Sequence, residues 1–340
     1  MLNGGVIGFG RMGITHYAIL NTHPAVNITC VCESSNFVRK QLKRYADVNL
    51  YGSYKKMLSK EDLHFVIVAT PTAYHADIVS DALDSNTAVF VEKPLALRRD
   101  ESSSLTDKAA SKNAVNQVGY FLRFNEVFKT VKDIVDHGYI GDVIHYKNEM
   151  YGRTVLKSSK SWRSKGELGG GCILDFASHC IDLAQFMFGP VSRVGGSMLK
   201  TIYSEKVEDA VYTMLEHENG LSGNVMVTWS DESYRKPFNR IEILGSQGKI
   251  IADRQEYRLY LRKDPDPESP YTKGWNIHYL PELDQPVRYS LRGSEFTLQL
   301  DHFIQSVIEN DTQGACTFED GERADRVIDM IREDFISRSA

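Results

Sequence analysis

The chain has 340 residues, of which 42% are hydrophobic and 25% are charged, and these fractions are typical of a soluble globular protein. Forty lysines and arginines against forty-five aspartates and glutamates give a formal charge of −5. That balance argues against a nucleic-acid-binding protein and against a polybasic membrane-surface protein. At roughly 100–200 residues per domain, the length predicts two domains.

The apolar stretches and the cysteines indicate the cellular compartment of the protein. No apolar stretch approaches the roughly 20 residues that span a bilayer, and the first residues lack the basic and apolar regions of a secretory signal. The five cysteines include no CxxC pair, which argues against a disulfide framework and a structural zinc site. We therefore expect a cytoplasmic protein with reduced thiols and no membrane or nucleic-acid partner.

The first 120 residues alternate between short apolar runs and amphipathic stretches. The apolar runs cover residues 4–9, 26–32, 64–69, 88–91 and 115–119, and they lack the polar alternation of a half-exposed strand. Amphipathic stretches such as 36–47 and 75–86 lie between them. This strand–helix–strand alternation predicts βαβ units, so we expect an α/β domain with a parallel sheet over residues 1–122.

The pattern changes after about residue 122. Helices are predicted over 124–137, 172–188, 298–309 and 320–337, and strands over 142–151, 192–202, 209–218, 221–230, 240–244 and 249–252. Asn219 and Gly220 form a strong hairpin signal, and consecutive strands joined by turns predict an antiparallel sheet. The proline-rich residues 264–290 match neither pattern. The sequence therefore predicts an α+β domain over residues 123–340.

A glycine-rich motif follows the first predicted strand and begins a predicted helix. It is GxGxxG, formed by Gly8, Phe9, Gly10, Arg11, Met12 and Gly13. The first glycine permits a tight turn, the second lets a pyrophosphate approach the backbone, and the third lets the helix pack on the strand. The helix N-terminus adds free N–H groups for the phosphates. The motif predicts a dinucleotide site, with FAD and S-adenosylmethionine as competing ligands.

The residue that ends the second predicted strand bears on the choice of dinucleotide. Glu33 lies twenty positions beyond Gly13. A carboxylate there accepts hydrogen bonds from the adenine ribose hydroxyls and repels a 2′-phosphate. The prediction is therefore NAD in preference to NADP, and the alternative is an ordinary surface glutamate.

Two further segments carry groups suited to acid–base chemistry. Glu92-Lys93-Pro94 comes directly after the strand predicted over 88–91, and ligands of open α/β sheets lie beyond the carboxyl ends of the strands. Three glycines at 169–171 precede a helix with Asp175 and His179 four residues apart, on one face. Histidine is a general base matched to neutral pH. An exposed ion pair or a metal site are alternatives, but a third ligand is missing, so no metal is predicted.

Together these motifs resemble the glucose–fructose oxidoreductase / inositol dehydrogenase family, known as Gfo/Idh/MocA, over nearly the whole chain. The GxGxxG motif, the segment 69–75, the Glu-Lys-Pro motif and the glycine segment with Asp175, His179 and Asp182 occur in the family's order. The resemblance implies a Rossmann domain followed by an α+β domain with a large open, mainly antiparallel sheet. That sheet commonly forms the oligomer interface, so a homodimer or homotetramer is expected.

The resemblance also implies roles for individual residues. Lys93, Asp175 and His179 would be catalytic and would touch the substrate, with His179 as the acid/base, Lys93 polarising the reacting oxygen, and Asp175 positioning substrate or orienting His179. The cofactor would contact Thr70, Pro71, Thr72, His75, Glu92, Lys93, Arg123, Trp162 and Arg163 in addition to the glycine motif and Glu33. Tyr151 and Arg153 are candidate substrate contacts, and the alternative is that they are solvated loop residues.

The implied function is that of an NAD(P)-dependent oxidoreductase. It would transfer a hydride between a secondary alcohol of a sugar, polyol or sugar derivative and the nicotinamide. Two alternatives stay open: an NAD-dependent glycosidase that uses transient oxidation, and a non-catalytic dinucleotide-sensing regulator. Regulators of this kind often lose the catalytic lysine or histidine, and both are present here.

Overall fold

A computed structural model of the chain describes residues 1–157, 161–265 and 267–339. It contains two compact units, of which the first comprises Met1–Phe121 and Pro286–Asp325 and the second comprises Leu122–Gln285 and Arg326–Ala340. Residue 266, within the segment that matched no sequence pattern, lies outside the described residues. No helix in the described ranges is long and apolar enough to cross a membrane.

The described residues form the following elements. The strands are β1 (Leu2–Ile7), β2 (Val26–Cys32), β3 (Asn49–Tyr51), β4 (Phe65–Val68), β5 (Ala88–Val91), β6 (Asn116–Val118), β7 (Val143–Tyr151), β8 (Val191–Lys200), β9 (Ala210–His217), β10 (Ser222–Thr228), β11 (Phe238–Gly245), β12 (Gly248–Asp253), β13 (Glu256–Leu261) and β14 (Gly274–Tyr279). The helices are α1 (Arg11–Leu20), α2 (Asn36–Leu42), α3 (Tyr54–Lys60), α4 (His75–Asp84), α5 (Arg99–Ser111), α6 (Glu126–Asp136), α7 (Ser178–Phe188), α8 (Leu280–Leu283), α9 (Ser294–Glu309) and α10 (Phe318–Ser339).

The first unit is built on a six-stranded sheet in the order β3-β2-β1-β4-β5-β6, and every neighbouring pair is parallel. The predicted parallel sheet is therefore confirmed. Its strands are apolar on both faces because helices cover both, and all four residues of β4 are buried. The strand order reverses between β1 and β4, and ligands of such sheets bind beyond the carboxyl ends of the strands at this point.

Helix α9 belongs to the first unit although it is late in the chain. Its side chains Phe296, Leu300, Phe303 and Ile304 join the core formed by the parallel sheet. The ring of Phe303 meets the rings of Phe65 and Phe90 edge-on, each with a centroid distance of 5.8 Å. The prediction of residues 123–340 as one continuous domain is corrected here, because residues 286–325 return to the first unit. An amphipathic pattern shows that a helix has a buried face, but it does not show which core that face joins.

The second unit contains an eight-stranded sheet in the order β14-β13-β12-β11-β7-β10-β9-β8. Its neighbouring strands are antiparallel except for β7 and β10, which are parallel, so the mainly antiparallel sheet is confirmed. Strand β14 lies within residues 264–290, which matched neither pattern in the sequence, and β13 comes just before them, where no strand was predicted. Each of these two strands is only six residues long, so the alternation of their side chains is a weak local signal.

The two faces of this sheet differ in their surroundings. Helix α7 covers one face, where the ring of Tyr146 stacks on Phe188 at 4.6 Å and Asn148 Nδ2 donates to the carbonyl oxygen of Cys180 at 2.9 Å. The opposite face, called the open face below, is defined by one cross-strand row of partly or fully exposed side chains. The row consists of Met214, Asn224, Lys147, Glu242, Ile251, Arg258 and Ile277.

Candidate active site

The glycine-rich turn joins β1 to α1 at the switch point of the parallel sheet. Gly8 has a φ of +90°, and a Cβ atom there would lie 2.7 Å from the carbonyl oxygen of Ala69. A Cβ atom on Gly13 would lie 1.9 Å from the carbonyl oxygen of Gly8. At Gly10, by contrast, no described atom outside its own neighbourhood lies within 4 Å of the Cβ position. Packing therefore requires two of the glycines, whereas the third faces open space.

This open space fits the pyrophosphate of a dinucleotide. Gly10 is the N-cap residue of α1 and offers no capping side chain, so the first N–H groups of the helix can bind an anion. Beside the turn, the buried Oγ1 atom of Thr70 has no hydrogen-bond partner among the described residues. A bound dinucleotide would supply acceptors for these helix N–H groups. Thr70, Pro71 and Thr72 begin one residue after the end of β4, as expected for a loop beside the cofactor.

Glu33 lies at the carboxyl end of β2, beside the glycine turn. Its Oε2 atom accepts a hydrogen bond from the backbone N–H of Phe9 at 2.9 Å, and its Oε1 atom accepts one from the N–H of Ser35 at 2.7 Å. Arg39 donates to the backbone carbonyl oxygens of Glu33 and Ser34. The carboxylate is thus fixed where the adenine ribose is expected in this fold.

The Glu92-Lys93-Pro94 turn follows β5 and is braced by two buried histidines. His16 Nε2 lies 2.6 Å from Glu92 Oε1. His75 Nδ1 lies 2.9 Å from the carbonyl oxygen of Pro94, and its Nε2 lies 3.0 Å from the carbonyl oxygen of Thr70. Burial lowers the pKa of His75, although its contacts with the two backbone oxygens oppose that shift. His75, which was expected to contact the cofactor, therefore has both ring nitrogens against backbone oxygens.

The acid–base candidates of the second unit lie where a π-helical turn, Ile173–Ala177, leads into α7. The prediction was a single regular helix over 172–188, and the wider turn is a departure of a kind often found at functional sites. Asp175 lies in the π-helical turn, and His179 lies in the first turn of α7 with 6% of its surface exposed.

Asp175 is held by the segment that precedes the three glycines. Arg163 Nε donates to Asp175 Oδ2 at 3.0 Å, and the guanidinium lies over the ring of Trp162 at 4.6 Å from its centroid. The backbone carbonyl oxygen of Arg163 also accepts from the N–H of Gly171 at 3.1 Å. Trp162 and Arg163 were predicted to approach the cofactor from the second domain. Arg163 holds the Asp175 carboxylate by this hydrogen bond, and the ring of Trp162 packs against the Arg163 guanidinium.

Glu208 supports the same segment, and the sequence analysis did not identify it. Its Oε1 atom accepts from the backbone N–H of Ile173 at 2.9 Å, which caps the π-helical turn. A Cβ atom on Gly171, whose φ is +113°, would lie 2.4 Å from that oxygen. Burial raises the pKa of Glu208. Because Glu208 lies 35 positions further along the chain than Ile173, no local spacing could have indicated the contact.

Arg123 and Asp182 form a buried ion pair in the second unit. Arg123 Nε and Nη2 lie 3.0 and 2.7 Å from Asp182 Oδ1, and the Asp182 side chain is fully buried. Arg123 was expected to contact the cofactor. In the structure, these two nitrogen atoms donate hydrogen bonds to Asp182 of α7. Asp182 lies one turn beyond His179, so the pair anchors the helix that carries the acid–base candidate.

The predicted substrate contact Tyr151 does not join Asp175 and His179 within one chain. Side chains alternate along a strand, and Tyr146, Asn148 and Met150 of β7 are buried on the α7 side. Tyr151 therefore lies on the open face, where its ring stacks on Tyr234 at 5.3 Å. Arg153 is exposed and forms an isolated β-bridge with Ser230.

Comparison with known proteins decides the family. A family model described as "Oxidoreductase family, NAD-binding Rossmann fold" matches residues 2–120, and one described as "GFO/IDH/MocA C-terminal domain" matches residues 128–251. The chain belongs to the Gfo/Idh/MocA family. It is an NAD-binding oxidoreductase, as the resemblance implied.

Individual relatives of this Gfo/Idh/MocA protein are dehydrogenases and a hydratase. Levoglucosan dehydrogenase of Pseudarthrobacter phenanthrenivorans is 27% identical over 331 residues, which is 81% of this chain and 83% of that protein. The scyllo-inositol 2-dehydrogenase (NAD(+)) of Bacillus subtilis is 28% identical over 314 residues, covering 89% and 85%. The 2,7-anhydro-N-acetylneuraminate hydratase of Escherichia coli is 25% identical over 300 residues, covering 87% and 78%.

A solved structure shows that the fold is shared along the chain. Levoglucosan dehydrogenase in complex with NADH and levoglucosan superposes with a TM-score of 0.86 at 24% identity, covering 99% of this chain and 97% of that one. Among the described residues of this family member, no group of three or more His, Cys, Asp or Glu side chains is arranged to hold a metal ion.

His16 was also missed by the sequence analysis, and here a local signal existed. It lies three residues beyond Gly13 on α1, and both residues are buried. A titratable side chain on the buried face of a helix needs a polar partner. Its buried position one turn after the glycine motif could therefore have indicated that His16 has a polar partner, although not that the partner is Glu92.

Proposed function

We propose that this chain is a dehydrogenase that oxidises a secondary alcohol of a sugar, a polyol or a sugar derivative with NAD, or catalyses the reverse reduction. The observation that carries the proposal is the braced Lys93 turn at the carboxyl end of β5, in the same unit as the open space above Gly10. The names of two relatives, levoglucosan dehydrogenase and scyllo-inositol 2-dehydrogenase, support this substrate class.

The proposed roles follow from the chemistry of each side chain. When bound, NAD supplies a nicotinamide ring that accepts a hydride. The Lys93 ammonium group binds the reacting oxygen and stabilises the negative charge that develops on it. His179 takes the hydroxyl proton as general base. Asp175 positions the substrate or orients His179, and the hydrogen bond from Arg163 limits the rotation of the Asp175 carboxylate.

The cofactor-binding residues are proposed with the same reasoning. The turn from Gly8 to Gly13 and the N-terminus of α1 would hold the pyrophosphate, and Glu33 would accept the adenine ribose hydroxyls. Thr70, Pro71 and Thr72 would line the ribose and nicotinamide side. The repulsion between Glu33 and a 2′-phosphate makes NAD the preferred cofactor.

The test is a panel of substrates that includes levoglucosan, scyllo-inositol, free sugars and nucleotide sugars, each with NAD and with NADP. Steady growth of the NADH absorbance is the expected result. Consumption of substrate without NADH accumulation would instead favour transient oxidation. No turnover and no NADH binding would contradict the proposal.

Two variants test the proposed roles on whichever substrate turns over. General acid–base groups contribute about 10²–10⁴-fold, so His179→Ala should lower kcat by at least about tenfold. Lys93→Ala should also abolish most turnover. Lys112→Ala, which removes a lysine that follows α5 and pairs with Asp84 at the end of α4, is the matched control and should keep normal activity. Normal turnover in Lys93→Ala would overturn its role.

We also propose that the protein forms a homodimer or homotetramer through the open face. Met214 and Ile277 at the ends of the defining row are 54% and 45% exposed. Between them lie charges of both signs, including Lys147, Glu242 and Arg258, so the face can complement a second copy of itself about a two-fold axis. Ile277→Arg should lower the mass measured by light scattering, and an unchanged mass would contradict this interface.

A cytoplasmic location is part of the same proposal. All five cysteines are free and buried, and reduced thiols are typical of that compartment. Cell fractionation with antibodies against the protein would test it, and recovery outside the cytoplasmic fraction would contradict it.

A further inference from the structure

The two sequence neighbours of Lys93 each contact a histidine from a different part of the proposed dinucleotide site. On one side, Glu92 forms a hydrogen bond with His16 of α1, the helix that follows the glycine turn. On the other, the carbonyl oxygen of Pro94 lies within hydrogen-bond distance of His75, which also contacts the carbonyl oxygen of Thr70. The turn that bears the proposed catalytic lysine is therefore connected to the phosphate side by one histidine and to the ribose side by another.

The link through His16 is short and stiff. Gly10 caps the N-terminus of α1, Gly13 packs against the carbonyl oxygen of Gly8, and His16 follows one turn later. Residues three apart on a helix share a face, so the face that closes on the glycine turn also carries the imidazole. Two side chains and one hydrogen bond of 2.6 Å then separate this helix from the backbone of Glu92.

His16 does not have the contacts of a residue that serves stability alone. It is 0% exposed, and its ring meets Phe90 edge-on at 5.2 Å. Its Nδ1 atom has no hydrogen-bond partner among the described residues. A buried polar atom without a partner is unfavourable, and an apolar side chain of similar size would avoid that cost. The contact with Glu92 is the property that such a replacement would lose.

We propose that His16 is a positioning residue that couples binding of the dinucleotide phosphates at α1 to the placement of Lys93, acting through Glu92. An anion docked on the N-terminus of α1 fixes the helix, the helix fixes His16, and His16 fixes the residue next to Lys93. The inference rests on the proposed function, because it takes Lys93 as the catalytic lysine.

The experiment uses ADP as the probe, since ADP carries the pyrophosphate but no nicotinamide that could cover Lys93. The rate of reductive methylation of Lys93 is measured by mass spectrometry of its peptide, with and without saturating ADP. Coupling between two sites commonly amounts to at least about fivefold, and ADP should change the native Lys93 rate by about that factor. No change in the native protein would overturn the coupling.

His16→Leu removes the hydrogen bond, and His16→Gln keeps an N–H donor near the position of Nε2. In His16→Leu, ADP should still bind but should leave the methylation rate of Lys93 nearly unchanged, and kcat should fall by up to about 10²-fold because the lysine is misplaced. His16→Gln should recover part of both. His64→Leu is the control. His64 immediately precedes β4, at the end of that strand remote from Thr70, and its Nδ1 atom accepts a hydrogen bond from the N–H of Asn3. Its loss should leave the ADP effect and kcat as in the native protein.

Two further outcomes separate this inference from the proposed function. A His16→Leu variant with a thermal midpoint at or above the native value and a lost ADP effect would support positioning, whereas an ADP effect of native size would overturn it. If the native protein turns over a substrate but His16→Leu matches it in kcat, the proposed function stands and the coupling fails. If neither ADP nor NADH binds the native protein, both fail together.

Discussion

Arg163 Nε donates a hydrogen bond to Asp175 Oδ2 at 3.0 Å, across only twelve positions of sequence but between two different structural segments. Arg163 precedes the three glycines, and Asp175 lies in the π-helical turn that follows them. The glycines allow the chain to fold back so closely that a Cβ atom on Gly170 would lie 2.3 Å from the carbonyl oxygen of Arg163. The pair thus closes a compact loop at the N-terminal side of His179.

Replacing Arg163 should impair catalysis more than binding. Arg163→Ala leaves the Asp175 carboxylate without this donor, and a misplaced catalytic group can cost up to about 10²-fold in rate. Arg163→Lys keeps the charge but loses the planar fork that matches a carboxylate, so its loss should be intermediate. Steady-state kinetics would show the difference, with kcat falling more than KM rises. Native values of kcat in Arg163→Ala would show that this hydrogen bond does not orient Asp175.

The glycine turn provides a matched pair of variants. Gly10→Ala places its methyl group in open space, so the protein should fold normally but lose affinity for NADH, because the methyl group occupies the path of the pyrophosphate. Gly13→Ala forces its Cβ atom to 1.9 Å from the carbonyl oxygen of Gly8 and should lower the melting temperature as well. Fluorescence titration with NADH and thermal unfolding separate the two effects. Unimpaired NADH binding by Gly10→Ala would contradict the assigned phosphate path.

Glu33 should determine the choice between NAD and NADP. Glu33→Ser removes the acceptor for the ribose hydroxyls and the negative charge that repels a 2′-phosphate. The KM for NAD should rise by at least about tenfold, since the loss of a hydrogen bond to a charged group costs about 1.5–3 kcal/mol, and the KM for NADP should fall. The ratio of kcat/KM for the two cofactors measures the change. Glu33→Asp serves as the control, because it keeps the charge.

The ion pair of Arg123 and Asp182 should contribute strongly to the stability of the second unit. Asp182→Asn would leave a largely buried guanidinium without its counter-charge, and breaking a buried pair in this way typically costs about 3–5 kcal/mol. Urea unfolding would measure the loss. The double variant Arg123→Met with Asp182→Leu removes both charges and should be less destabilised than Asp182→Asn. If Asp182→Asn unfolds like the native protein, the pair does not anchor α7.

His217 should make the second unit less stable at acid pH. Its Nδ1–H donates to the carbonyl oxygen of Gly189 at 2.7 Å, and its Nε2 accepts from the hydroxyl of Tyr146 at 2.8 Å, so the neutral ring satisfies both contacts. Burial lowers the pKa of His217 below its usual 6.5. Between the two pKa values, the unfolded chain therefore binds more protons than the folded protein. The contribution of His217 to the free energy of unfolding is fully present above about pH 6.5 and decreases as the pH falls from there to the lowered pKa.

The variant His217→Asn isolates this contribution from those of other histidines. Asparagine keeps a donor for Gly189 and does not titrate, but its side chain is too short to place an acceptor where Nε2 meets the Tyr146 hydroxyl. The variant should be less stable than the native protein at pH 7.5, and its free energy of unfolding should fall less between pH 7.5 and 5. Equal losses in the two proteins would show that His217 does not contribute to the pH dependence.

Local sequence was sufficient wherever neighbouring residues build the feature themselves. The GxGxxG motif, the apolar runs of the parallel strands and the Asn219–Gly220 turn depend on backbone geometry within a few residues, and each appears where it was predicted. Glu33 and Lys93 could be located for a related reason, because a residue that ends a parallel strand has its place set by the sheet. The expected catalytic and cofactor-binding roles of these residues came from the family resemblance.

The tertiary structure alone decided which long-range partners these residues have. His16 with Glu92, Arg123 with Asp182, and Glu208 with Ile173 are separated by 76, 59 and 35 positions, and no local periodicity encodes such pairs. It also decided that α9 joins the parallel sheet and that Tyr151 lies on the open face. The physical reason is that sequence spacing fixes the face on which a side chain lies within its own element, whereas strand register and helix packing decide what that face meets.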